Sequence, residues 1–270
     1  MKLSLPTGDL KIYLKRQLET YFPDGLTEKY FNGEDVDRAF HAGLERLEYC
    51  FLHVNMEAYS NENGETFFSH LHTDQYSQFL YYFMNSLWRM SGNEVICKKA
   101  MLLNRILSGL FVSYKCSLPD IYLTYHPVGT VLGIADYSNY FMALQNVTIN
   151  TGVNINGSCT PHLGEGLFMA AGSSIIGSEE VGDWVSVGVN ATVYHQKIGN
   201  YKLVCNNSGK MEVVENRKCT QKYYWRQIIR GGVQNKCIIY KKYISVWEMI
   251  NPEKFMQTVC CLALQAIGNI

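Results

Sequence analysis

The feature of this 270-residue chain that most restricts its fold is a six-residue period of aliphatic side chains. The residues in this period are Leu163, Met169, Ile175, Val181, Val187 and Val193. Strands alternate with a period of two and helices with a period of 3.6, so an ordinary β-sandwich or a helix does not explain a period of six. A coil in which three short parallel strands make one turn of about 18 residues does explain it, because every sixth side chain then points inward. The sequence therefore predicts a triangular parallel β-helix.

The remainder of the chain divides around this segment. Apolar residues at helical spacing predict an α-helical domain over residues 1–115, and the β-helix is expected over 116–200. A stretch rich in Gly, Asn, Ser and Thr predicts a loop over 151–162. Residues 201–270 are expected to form a C-terminal extension, in which 244–266 can form a closing helix. The expected fold class is α+β.

Charge and cysteine usage limit the partners. The 24 Lys and Arg residues balance the 24 Asp and Glu residues, so the chain has no global field that would attract nucleic acid. The basic and aromatic run over 216–243 is typical of a solvated, partly packed tail, and we expect no nucleic-acid partner. The nine cysteines lack C-x-x-C and metal-ligand spacing, which indicates reduced thiols, no metal and a cytoplasmic location. No apolar run reaches the roughly 18 to 20 residues of a membrane span.

Three motifs follow one another in and before the periodic segment. Residues 126–133 read HPVGTVLG, residues 145–149 read QNVTI, and residues 165–177 read EGLFMAAGSSIIG. They resemble H-x-x-G-x-V-x-G, Q-x-V-T-L and E-G-x-x-x-G-A-G-x-x-x-x-G of the serine acetyltransferase family of hexapeptide-repeat acyltransferases. The chain is most similar to the branch found in bacterial surface-polysaccharide clusters. The resemblance implies a left-handed β-helix, acetyl-CoA as cosubstrate without a metal, and a homotrimer or dimer of trimers with shared active sites.

The first motif carries the candidate general base, His126. A hydroxyl is a poor nucleophile at neutral pH, so a base must remove its proton as it attacks the thioester, and histidine titrates in that range. Backbone N–H groups or a small polar side chain must then stabilise the oxyanion. This chemistry implies direct transfer without an acyl-enzyme. The alternative for His126 is a structural histidine at a strand end.

In this family a carboxylate orients the histidine. The family's aspartate falls on Phe111, so the nearest acid upstream of His126, Asp120, is the expected catalytic partner. Its alternative role is that of a turn residue after proline. Asp74, near the start of a predicted helix, is expected to contact the acceptor, and equally it can stabilise the N-terminus of that helix.

Substitutions relative to the family indicate the acceptor. Tyr125 replaces an aspartate that contacts serine, and Cys159 and Thr160 replace an Arg-His pair that binds the amino acid carboxylate. These replacements argue against L-serine and favour a sugar hydroxyl of a bacterial surface polysaccharide or its precursor. The expected acceptor-binding residues are Asp74, Tyr125, Gln145, Thr160 and His162.

The resemblance also assigns acetyl-CoA to the groove between neighbouring β-helices. Position by position, Asn150, Ala171 and Val189 fall where family members contact CoA. The main expectation is therefore a polysaccharide O-acetyltransferase. The alternatives are serine O-acetylation or amino-sugar N-acetylation, which also need a base, and a non-catalytic trimeric scaffold.

Overall fold

The computed structural model describes residues 1–149 and 160–226, together with the backbone of two short antiparallel strands, β16 (Ile228–Ile229) and β17 (Gly232–Val233). Residues up to Trp225 form one compact unit, and residues 226–270 form a second. The predicted closing helix over 244–266 lies outside the described residues.

Five α-helices occupy the first part of the described chain. They are α1 (Thr7–Tyr21), α2 (Leu26–Tyr30), α3 (Glu34–Leu52), α4 (Thr73–Ser91) and α5 (Glu94–Ser108). Helix α4 is the central one, since every residue from Asp74 to Leu87 is buried and it packs against both α3 and α5. Gly92 and Gly109, at φ 67° and 74°, end α4 and α5 in the left-handed conformation. Beside these helices, β1 (Lys2–Leu3) pairs with β2 (Phe67–Phe68).

Parallel strands then wind into a coil with three faces. The first face contains β4 (Tyr122–Thr124), β7 (Phe141–Ala143), β10 (Phe168–Met169), β12 (Ser186–Val187) and β14 (Lys202–Asn207), with β15 (Lys210–Glu215) antiparallel at its end. The second face contains β3 (Phe111–Val112), β5 (Val131–Leu132), β8 (Thr148–Ile149), β11 (Ser174–Ile176) and β13 (Thr192–Tyr194). The third face contains β6 (Asp136–Tyr137), β9 (His162–Leu163) and bridges at Val181 and Ile198.

The strand register explains the sequence period. Ser186 pairs with Phe168 and Thr192 with Ser174, which are 18 residues apart in each pair. All six periodic aliphatic residues are buried inside the coil. Across the predicted loop the partners are 26 residues apart, as for Met142 and Phe168. This coil therefore holds eight extra residues between β8 and β9, most of which lie outside the described part of the chain.

The corner between the first and second faces, called here the first edge, alternates two kinds of residue. Gly129, Asn146, Gly172 and Asn190 occupy it in successive coils, all with φ between 54° and 73°. Glycine and asparagine tolerate this left-handed conformation best. A Cβ at Gly172 would lie 2.2 Å from Asn190 Oδ1, so each asparagine amide covers the bare α-carbon of a glycine.

The coil is longer than the expected range of 116–200. It begins at Phe111, because α5 ends at Ser108 and the following apolar residues pair with β5. It continues after Val193 through Ile198 and Val204, both buried. The spacing from Val193 to Ile198 is five residues, and this slip of one residue hides the last coil from a search for a six-residue period.

Candidate active site

His126 lies on the first edge, two residues after the end of β4. Its side chain is 65% exposed, and its backbone has φ 50°. A non-glycine residue in the left-handed conformation costs of order 1 to 3 kcal/mol and is found preferentially at functional sites. Tyr125 packs against the imidazole, with the two ring centroids 4.0 Å apart. The β-helix therefore presents His126 to solvent in a strained but defined conformation.

The carboxylate beside His126 is that of Asp74. Its Oδ2 lies 3.5 Å from Nδ1 of His126, and the side chain is only 4% exposed. Asp74 occupies the first turn of α4, where the helix dipole stabilises a buried negative charge. Among the described residues no donor completes a hydrogen bond to Oδ2. Among the described residues, Oδ2 of Asp74 therefore keeps the capacity to accept a hydrogen bond, and His126 is the side chain that it faces.

Asp120 lies elsewhere. Its carboxylate is 66% exposed and lies 3.9 Å from the guanidinium of Arg46, and it is not within ion-pair distance of His126. Asp120 precedes β4 and His126 follows it, so this strand separates them. The structure brings Asp74, and not Asp120, next to the histidine.

Hydrogen bonds tie α4 to the chain segment that leads to His126. Buried polar side chains of α4 donate to backbone carbonyls of the first coil, which lack strand partners there. The bonds run from Gln78 to Tyr122 (2.6 Å), from Tyr81 to Cys116 (2.8 Å), from Tyr82 to Asp120 (2.9 Å) and from Asn85 to Tyr114 (2.9 Å). Asp74 lies on α4 and His126 follows β4, and these bonds fix the position of the helix relative to the strand.

Sequence reasoning missed three buried polar side chains, and one of them, Tyr59, interacts with the charge of Asp74. Tyr59 Oη, His72 Nδ1 and Thr124 Oγ1 are buried and have no hydrogen-bond partner among the described residues. Gln75 brings Tyr59 to the start of α4 by donating to the Ala58 carbonyl at 2.8 Å. Burial, followed by the charge of Asp74, raises the pKa of Tyr59 well above its usual value. Tyr59 is therefore a permanent donor beside the carboxylate, and no sequence motif marks it.

The first edge also carries three other expected residues. Gln145, Ala171 and Val189 follow His126 in successive coils, spaced by about 4.8 Å as in any sheet. Backbone hydrogen bonds connect these coils along the edge: Asn146 N to Val128 O (2.9 Å), Gly172 N to Gln145 O (3.0 Å) and Asn190 N to Ala171 O (3.0 Å). The edge is partly exposed at Ala171 and Val189. Asn150, the remaining expected CoA contact, lies outside the described residues.

The two expected loop residues lie on a different edge. Thr160 and His162 are exposed at the corner between the second and third faces. His162 Nδ1 lies 2.8 Å from Asp136 Oδ2 on the neighbouring strand. Within one chain these residues are on another corner of the triangle from His126, so the structure of a single chain does not bring them together.

Cysteine and metal chemistry receive no support from the described residues. Burial raises the pKa of Cys50 to about 11 and of Cys97 and Cys116 to about 12, so these thiols stay protonated at neutral pH. Within residues 1–149 and 160–226 no three His, Cys, Asp or Glu side chains group as metal ligands. In the same part of the chain no helix has the length and apolar character needed to cross a membrane.

Comparison with known proteins adds to this geometry. No family model matches the chain, and no curated protein matches it. Solved structures do. The Vibrio cholerae serine acetyltransferase has a TM-score of 0.56 at 17% identity, over 80% of this chain and 81% of that chain. A serine acetyltransferase in complex with cysteine gives 0.54 at 14% identity, over 82% and 84%, and one in complex with CoA gives 0.51 at 14%, over 77% and 84%.

The chain has the serine acetyltransferase fold. This likeness confirms the expected α-helical region followed by a left-handed β-helix. Identities of 14% to 17% show the fold alone. The resemblance to the polysaccharide branch therefore stays a prediction.

Proposed function

We propose that this protein is an acetyl-CoA-dependent O-acetyltransferase with His126 as general base. The observation that carries the proposal is the pair formed by an exposed His126 and a buried Asp74, 3.5 Å apart. If the two side chains close this gap to a hydrogen bond, Nδ1–H of His126 donates to Asp74, which fixes the tautomer and leaves Nε2 free to accept a proton from substrate. In this proposal Asp74 takes the orienting role expected for Asp120.

The proposed reaction is a direct transfer. The acceptor oxygen attacks the thioester carbonyl while its proton passes to Nε2 of His126, and the negative charge of Asp74 stabilises the imidazolium that forms. When the tetrahedral intermediate collapses, the C–S bond breaks and the departing CoA sulfur takes the proton from His126. The high pKa values of the buried cysteines agree with a mechanism that uses no acyl-cysteine.

Acetyl-CoA is proposed to lie along the first edge. The partly exposed residues Ala171 and Val189 are the proposed contacts on this edge, with Asn150 as a third. The CoA complex of a protein with this fold supports acetyl-CoA as the cosubstrate. A homotrimer, or a dimer of trimers, would bring Thr160 and His162 of one chain towards His126 of another, so sedimentation at a multiple of three chain masses of 30.8 kDa is expected.

Two acceptors are candidates. Likeness to serine acetyltransferases, one of them solved with cysteine, favours serine. A sugar hydroxyl is favoured by Tyr125 and Thr160 in place of amino-acid-binding residues.

The test is acetyl-CoA consumption, followed by thiol release, for wild type and His126→Ala with L-serine, amino sugars and capsule-type oligosaccharides. The variant should lose about 10² to 10⁴ in rate with the preferred acceptor. Acetylation of serine, with no acetylation of any saccharide tested, would reject a sugar hydroxyl as the acceptor. Full activity of His126→Ala would reject the role of His126 as general base. If the wild-type protein does not bind CoA, the remaining alternative is a non-catalytic trimeric scaffold. The cytoplasmic location stays a prediction.

A further inference from the structure

An open cavity of about 170 Å³ lies between helix α1, the start of α4 and the end of α5. Tyr13 and Gln17 line it from α1, Thr73 and Tyr76 from the first turn of α4, and Ser108 from the last residue of α5. The proposed catalytic pair and the proposed CoA contacts include none of these side chains. The cavity therefore still lacks a role.

The cavity borders the proposed catalytic pair. Thr73 directly precedes the aspartate of the pair, and consecutive α-carbons are only about 3.8 Å apart. Ser108 directly precedes Gly109, where a Cβ would lie 3.0 Å from the α-carbon of Val128. Val128 follows the histidine of the pair by two residues. A ligand in the cavity is therefore close to both members of the pair.

The lining combines aromatic rings with neutral hydroxyl and amide groups. The ring of Tyr13 meets those of His70 and Tyr76 edge to face, with centroids 5.0 and 5.8 Å apart. The hydroxyl and amide groups belong to Gln17, Thr73, Ser77, Asn104 and Ser108. Such a wall suits a ligand with apolar C–H groups and neutral hydroxyls, which is the chemistry of a sugar ring.

The charge of the lining distinguishes between the two candidate acceptors. Among the described residues that line the cavity there is no Lys, Arg, Asp or Glu. A free amino acid would bring an ammonium and a carboxylate against this wall without a charged partner for either, and desolvation of an unpaired charge is costly. A neutral sugar carries no such cost.

Hydrogen bonds within the wall hold its polar groups in place. Tyr76 Oη donates to Gln17 Oε1 at 2.5 Å, so the Gln17 amide keeps Nε2 as a donor for a ligand. At the buried end, Asn104 Nδ2 donates to the Ser77 carbonyl at 3.1 Å, and Ser108 Oγ donates to the Asn104 carbonyl at 2.7 Å. Because these side chains are already ordered, a ligand loses less binding free energy to their immobilisation.

We propose that this cavity is an acceptor subsite that binds one neutral sugar ring of a saccharide. The inference rests on the proposed function, which places the transferred acetyl group at His126, and it selects the sugar over serine. At about 30 Å³ for each water molecule, 170 Å³ is the space of about six waters, which is room for one ring and not for a chain. Leu71 and Thr73, both exposed, mark the opening through which the rest of the saccharide leaves the cavity.

The test measures binding of the methyl glycosides of glucose, galactose and N-acetylglucosamine by saturation-transfer NMR, for wild type, Gln17→Met and Thr73→Val. Both variants remove hydrogen-bonding atoms from the wall at nearly constant volume. The affinity for the bound glycoside should therefore fall about 2- to 12-fold in each. The affinity for CoA should not change. Thr20→Val, at an exposed threonine of α1 that does not line the cavity, is the matched control and should bind as wild type does.

The outcomes separate the subsite from the proposed function. Unchanged glycoside affinity in both variants overturns the subsite while the proposed function stands. Wild type that binds CoA but none of the three glycosides also overturns it. Failure of wild type to bind CoA rejects the proposed function and this inference together. If Gln17→Met does not fold, Thr73→Val decides the test, because it removes only an exposed hydroxyl.

Discussion

Asp74→Asn tests the assignment of the catalytic pair most directly. The substitution preserves shape and removes the charge that lies 3.5 Å from His126 Nδ1. At this distance two unit charges interact by about 5 kcal/mol at an effective dielectric constant of 20 and by about 1 kcal/mol in water. Because Asp74 is buried and His126 is exposed, the stabilisation of the imidazolium should lie between these limits, near 2 kcal/mol. The turnover number should therefore fall roughly 10- to 100-fold.

The assay is thiol release from acetyl-CoA at saturating acceptor. The Michaelis constant for acetyl-CoA should change little, because the proposed CoA contacts are farther along the first edge. Asp120→Asn is the matched control, since it removes an exposed carboxylate six residues before His126 that faces Arg46. We expect it to retain activity within about twofold.

A double variant tests whether Asp74 acts through the histidine. In the His126→Ala background, Asp74→Asn should cause little further loss, because residues that act as a unit are not additive. An equal loss in both backgrounds would mean that Asp74 has a separate role, such as binding the acceptor. A large loss for Asp120→Asn, with Asp74→Asn near wild type, would refute the proposed pair and restore the expectation from sequence.

Three further predictions concern other parts of the molecule. Tyr59→Phe should not lower the thermal midpoint, because the buried hydroxyl has no hydrogen-bond partner among the described residues. It should reduce turnover about 3- to 10-fold, because the hydroxyl lies beside the carboxylate of the proposed pair, and a loss of stability with unchanged turnover would contradict this. Gly166→Ala places a Cβ 2.5 Å from the Trp184 ring at a residue with φ 71°, and urea unfolding should show a loss of about 2 to 4 kcal/mol in the free energy of unfolding. Gly25→Ala has a similar positive φ but its Cβ would contact no atom within 4 Å, so it should lose only about 1 kcal/mol. Equal losses would contradict the steric argument. Burial raises the pKa of Cys116 to about 12, so peptide mapping after alkylation at pH 8 should find it unmodified until the protein is unfolded, and rapid native labelling would contradict its burial.

The coil was predictable because its packing requirement repeats. Each turn must supply an inward aliphatic residue at the same position, and this leaves a period that can be read without structure. The end of α4 is also encoded locally, since Gly92 follows Ser91 in the left-handed conformation that glycine adopts most easily. The coil after Val193 was not predictable in this way. Ile198 follows Val193 by five residues and not six, so the period is lost although the Ile198 side chain is still buried inside the coil.

The partner of His126 was not predictable from sequence distance. Asp120 is near in the chain, but β4 lies between the two residues and rises about 3.3 Å for each of its residues. Asp74 is 52 positions away and reaches the histidine only because α4 packs on the first coil. The pairing depends on tertiary contacts between two elements, and no local pattern encodes those contacts.

The polar residues of α4 show how these contacts are specified. A fully buried helix would be more stable with apolar side chains than with unsatisfied amides and hydroxyls. The side chains of Gln78, Tyr81 and Tyr82 instead donate to carbonyls of the segment that leads into β4. Because hydrogen bonds are directional whereas apolar packing is not, they fix the rotation and axial position of α4 relative to the coil. The helical region therefore does more than cover the end of the β-helix: it supplies the buried carboxylate of the proposed catalytic pair and the bonds that set its distance from His126.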